Sequence, residues 1–122
     1  EPAFEPLPEF LRRNSPERSR ERFSQPDLCV IRIEHGRNNT ELAPGSLLMI
    51  EAAAYPAAGD LTLFGTADSR ILLREFHPEG EQILFHPVLA GGGRELCWKR
   101  AEEPGFIRWI HPVREIVLKM HR

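Results

Sequence analysis

Twice between residues 43 and 64 a proline and a glycine lead directly into an aliphatic run. The first is Ala43-Pro44-Gly45-Ser46-Leu47-Leu48-Met49-Ile50, and the second is Pro56-Ala57-Ala58-Gly59-Asp60-Leu61-Thr62-Leu63-Phe64. Proline fixes φ in a turn and glycine supplies the positive φ that lets the chain reverse, so each pair stops one element and aims the next. The runs that follow are too short for buried helices and are bounded by turn residues, as strands are. A chain punctuated in this way folds into short strands joined by tight turns.

The remainder of the chain beyond residue 27 follows the same grammar. In Leu28-Cys29-Val30-Ile31-Arg32-Ile33-Glu34, alternation puts Cys29, Ile31 and Ile33 on one face and Arg32 and Glu34 on the other, the pattern of a half-buried strand. Further strands are predicted over residues 47–50, 61–64, 71–76, 82–85, 95–99, 106–110 and 115–120. Their connections are rich in turn formers, among them Gly65-Thr66-Ala67-Asp68-Ser69, His77-Pro78-Glu79-Gly80 and Gly91-Gly92-Gly93. No stretch of helical length after residue 26 carries a 3.6-residue apolar period. The expected fold is mainly β, curled and mostly antiparallel.

Residues 1–26 differ, with prolines at 2, 6, 8, 16 and 26 among closely spaced Arg and Glu. They read as a linker or charged N-terminal arm ahead of a single β domain over 27–122. Within the arm, Pro16 to Phe23 suits a short helix capped by Ser15. The chain opens on Glu1 rather than Met, so a further amino-terminal domain is expected upstream. Sixteen basic against eighteen acidic side chains give a formal charge of −2, which provides no net pull toward a phosphate backbone. No apolar run approaches the ~20 residues of a membrane span, and no signal peptide is visible, which points to the cytoplasm. Cys29 and Cys97 lie in apolar stretches without the paired spacing of a redox or zinc motif and read as buried thiols.

The order and spacing of elements from Leu28 to Met120 resemble the C-terminal domain shared by LexA and phage cI-type repressors, a self-cleaving serine/lysine peptidase fold. Leu28-Cys29-Val30-Ile31-Arg32-Ile33 resembles the family's opening strand. Where the family has a Gly-x-Ser-Met loop, this chain has Glu34-His35-Gly36-Arg37-Asn38-Asn39-Thr40. The first Gly-Asp of the family has become Gly45-Ser46, and Gly59-Asp60 keeps the second. Leu73-Arg74-Glu75-Phe76 matches the strand that carries the lysine, Leu84-Phe85-His86-Pro87 resembles a Leu-x-Pro-Asn pattern without its Asn, and Arg114-Glu115-Ile116-Val117-Leu118-Lys119-Met120 resembles the final strand.

The resemblance implies a dyad of a serine nucleophile and a neutral lysine base, because a hydroxyl attacks weakly until its proton is taken. The matching positions here are Arg37, or Gly36 if the loop is one residue longer, and Arg74. A guanidinium stays protonated at any pH a protein meets and offers no lone pair, so the chain is expected to be a degenerate, non-catalytic member. The only lysines are Lys99 and Lys119, neither at the family position, and Ser46 reads as a turn hydroxyl.

Other constellations have plainer readings. Three histidines lie in His77-Pro78, His86-Pro87 and His111-Pro112, each expected to end a strand. None has i, i+2 or i, i+4 spacing to another, so no metal site and no cofactor are assigned. Gly91-Gly92-Gly93 lacks the Lys-Ser/Thr of a phosphate loop and reads as a hairpin loop. Trp98, Trp109, Phe106 and Tyr55 read as core or subunit contacts rather than a base-stacking platform.

The combined expectation is the oligomerisation or sensor domain of a bacterial or phage-type transcriptional regulator. Ile116, Leu118 and Met120 on one face of the last strand are its dimerisation residues, as the resemblance implies for a homodimer. DNA would be reached only through the amino-terminal domain absent from this chain, and control would come from a regulatory protease, an antirepressor or a ligand in the former catalytic cleft. The alternatives are an active self-cleaving serine peptidase domain and a free-standing small β-barrel binding module.

Overall fold

Gly45 and Gly59 both adopt positive φ, 91° and 88°, and each delivers the chain into a strand. A computed structural model describes residues 4–8, 11, 28–33, 42, 44–88 and 93–117. Among these residues the elements are seven strands: β1 (Leu28–Arg32), β2 (Leu47–Glu51), β3 (Leu61–Thr66), β4 (Ile71–Glu79), β5 (Gln82–His86), β6 (Leu96–Lys99) and β7 (Ile107–Val117). All pairings are antiparallel, in one unclosed sheet of order β1-β2-β7-β3-β4-β5-β6. The mainly β, antiparallel architecture is therefore as the sequence predicts. The helix expected over 16–23 lies outside the described residues. No described helix is long and apolar enough to cross a membrane.

The two predicted late strands are one. His111-Pro112 does not interrupt β7, because residue 112 is the last to face β3 and residue 113 the first to face β2. At that changeover the strand has a partner on one side only, so the missing proline N–H need not break a ladder bond. His77-Pro78 likewise sits inside β4, beyond Phe76, the last residue bonded to the β3 side. Only His86-Pro87 ends a strand.

Two register shifts bend β7, one on each side of the changeover. Thr66 and Gly65 face Ile107 and Trp109, and Ile50 and Met49 face Val113 and Glu115, which leaves Arg108 and Arg114 as the extra, bulged residues. Both are exposed, and both hold carboxylates. Arg108 contacts Glu5 at 3.1 Å, and Arg114 pairs with Glu51 and lies 3.8 Å from Asp60.

Period-two alternation then fills both faces of the sheet's centre. Leu63, Leu73 and Trp109 enter a cluster with Ile31, Leu48 and Ile50, while Phe64, Leu72 and Ile110 enter another with Phe76, Phe85 and Trp98. Phe64 and Phe85 lie 4.4 Å apart between ring centroids. The segment read as an arm contributes Leu7 and Leu11 to the first cluster and packs Phe4 against the second. A backbone bond from the Glu5 N–H to the Arg108 carbonyl, 2.8 Å, lays it along β7. Cys29 is partly buried against the first cluster, but Cys97 is exposed, its thiol donating to Gln82 Oε1 at 3.2 Å. The reason is register: Cys97 and Leu84 share a face of the β5–β6 pair opposite to that of Trp98 and Ile83, which enter the core.

Candidate functional site

Arg74 stands on β4 opposite Thr62, on the face of Leu72 and Phe76, and is only 3% exposed. Its Nε donates to the Arg94 carbonyl at 2.8 Å and its Nη1 to the Leu73 carbonyl at 2.9 Å. The Thr62 hydroxyl donates to the Arg74 carbonyl at 2.9 Å. The side chain thus bridges β4 to the segment entering β6, with Nε and Nη1 bonded to main-chain carbonyl oxygens. Such a group orders a loop; it cannot accept a proton.

Gly36 and Arg37, the positions opposite it in the implied dyad, lie outside the described residues, as do Leu118, Lys119 and Met120. Ile116 is partly buried against the first core cluster. Ser46 is fully buried where β1 meets β2, its carbonyl accepting from the Ile33 N–H at 2.9 Å while the Gly45 N–H donates to the Ile33 carbonyl at 2.6 Å. Lys99 is exposed on the edge strand β6. Strands β7, β3, β4 and β5 separate it from β2, so Ser46 and Lys99 are not brought together.

A groove of about 480 Å³ runs between residues 5–8 and the β3–β4 turn. Trp109 and Gly65 form its floor, and Arg70 and Arg108 stand at its rim. A Cβ at Gly65 would overlap the indole of Trp109, 2.9 Å from Cζ2 and closer still to Nε1 and Cε2. Both rim arginines are engaged: Arg108 Nε and Nη2 reach the two Glu5 oxygens at 3.2 and 3.1 Å, and Arg70 Nε lies 3.1 and 3.2 Å from those of Asp68. The Thr66 hydroxyl donates to Asp68 as well, and with Arg70 it holds that carboxyl below its ordinary 3.8.

Family models, curated proteins and solved structures return no match to this chain.

A second polar group lies on the opposite side of the β4–β5 hairpin from Phe76. The register Glu75↔His86 and His77↔Leu84 places Glu75, His77 and His86 on one face, and the residue before β6, Glu95, comes alongside. His77 Nε2 lies 2.8 Å from Glu75 Oε1, His86 Nδ1 lies 3.9 Å from Glu95 Oε2, and the two imidazoles meet edge to face with centroids 4.6 Å apart. Among the described residues no group of three or more His, Cys, Asp or Glu side chains is placed to hold a metal ion. Sequence reasoning passed over this cluster because it sought spacing within one strand. The available signal was the hairpin turn at Gly80-Glu81, from which counting back and forward pairs 75 with 86 and 77 with 84.

Proposed function

We propose that this chain is a non-catalytic oligomerisation or sensor domain of a LexA-like transcriptional regulator, its DNA-binding part lying outside the chain. The observation that carries the reading is Arg74. The position where the resembling family keeps a buried, neutral lysine holds a permanently protonated guanidinium, and its Nε and Nη1 are bonded to main-chain carbonyls. Such a side chain preserves a buried anchor and gives up the base. The one described lysine, Lys99, is four strands removed from Ser46, which is against a rearranged serine/lysine pair.

Without self-cleavage the domain acts by holding copies together through Ile116, Leu118 and Met120. Pairing raises the effective concentration of two attached DNA-binding domains and increases affinity by ~10²–10⁴ with no DNA contact of its own. Release then depends on a regulatory protease, an antirepressor or a ligand. Two measurements test this. Incubated at about pH 10, where roughly a third of an ordinary lysine is deprotonated, the protein stays intact by mass. In sedimentation at tens of micromolar it runs as a dimer, and Leu118→Asp makes it a monomer. Specific cleavage abolished by Ser46→Ala would overturn the non-catalytic reading, and a monomer unaffected by Leu118→Asp would overturn the dimerisation role.

A further inference from the structure

We propose that His77 and His86 form a two-imidazole chelate for a divalent transition-metal ion of the zinc, nickel and copper class, a site independent of the regulatory reading above. The two rings project from adjacent strands onto one face, 4.6 Å apart between centroids, with side chains 40% and 41% exposed. Nitrogens bound to one ion at ~2.0–2.1 Å each lie within about 4 Å of one another. Rings at this separation reach that geometry by rotation of their own side chains, with the β4–β5 backbone fixed by its ladder.

The protonation pattern favours the same outcome. A carboxylate only accepts, so the 2.8 Å contact with Glu75 Oε1 places the His77 proton on Nε2 and leaves a lone pair on Nδ1. Glu95 faces Nδ1 of His86 at 3.9 Å and leaves Nε2 for a ligand. His77 therefore has a hydrogen-bonded carboxylate behind one nitrogen and the other nitrogen available, the arrangement that orients a metal-binding histidine, while Glu95 stands beside Nδ1 of His86 without a hydrogen bond. Among the described residues two imidazole donors converge, and water completes the coordination sphere on this open face. Neutral imidazole nitrogens select borderline transition ions over magnesium or calcium, with copper bound more tightly than nickel or zinc.

The test is titration of the 122-residue chain with Ni²⁺ at about pH 7.5, where imidazoles are mostly neutral. Calorimetry measures affinity, and the nuclear resonances of the histidine rings report location through paramagnetic broadening. The expected result is one equivalent bound, with the His77 and His86 signals broadening together at substoichiometric metal. His77→Ala and His86→Ala each weaken binding by about tenfold or more, because removing either arm ends the chelate. Glu75→Gln weakens it by about tenfold through the orienting bond. His35→Ala and His121→Ala leave affinity unchanged. All the altered positions at the site are partly exposed, and circular dichroism confirms that each variant is folded. Broadening centred on other histidines, or an affinity unmoved by His77→Ala or His86→Ala, overturns the proposal.

Discussion

One methyl group separates glycine from alanine, and at residue 65 an indole occupies its place. Trp109 lies against the β3 backbone there and is itself buried, so it has little room to withdraw. Gly65→Ala is expected to lower unfolding free energy by about 1–3 kcal/mol, the usual cost of overpacking, measured by urea denaturation. A shifted Trp109 fluorescence maximum would accompany it. Nothing in Phe64-Gly65-Thr66 reveals this contact, because the tryptophan arrives from a strand more than forty residues later. Arg74 was partly legible: its inability to act as a base follows from its chemistry alone. Its bond to the Arg94 carbonyl was not, since that partner lies twenty residues away, in the segment entering β6.

Among elements, the strands were legible where a single strand bears its own pattern, as in β1 and the residue after it, where Ile31 and Ile33 are buried while Arg32 is exposed. What alternation within a strand does not encode is partner choice. His111-Pro112 reads as a stop in isolation, and only the changeover of β7 from β3 to β2 makes proline tolerable there. Composition misleads about residues 4–11 in the same way, since Pro and Glu mark an exposed segment while Leu7 and Leu11 lie in the core. Leu11→Ala is expected to cost about 2–5 kcal/mol, as deletion of a buried leucine side chain does, seen as a lower denaturation midpoint with an unchanged slope. A loss under 0.5 kcal/mol, the range of ordinary surface substitutions, would mean that the segment does not pack as described.

For the molecule as a whole, a formal charge of −2 predicts that the chain binds duplex DNA at physiological salt no more tightly than a neutral control protein. Gel-shift titration across salt concentrations checks this, and tight binding with a steep salt dependence would contradict it. The central position of β7 governs how such a molecule can be made. Strands β1 and β2, and likewise β3 to β6, pair with neighbours in chain order, so two separate pieces of sheet can form from contacts between adjacent strands. Joining them requires the last of the seven strands to slot between β2 and β3, closing loops of tens of residues before either core gains its middle wall. A nascent chain emerging from the ribosome therefore holds two half-built hydrophobic surfaces open until residues 107–117 are free. Over that interval its apolar surface stays open to aggregation longer than in a protein whose strands pair in order.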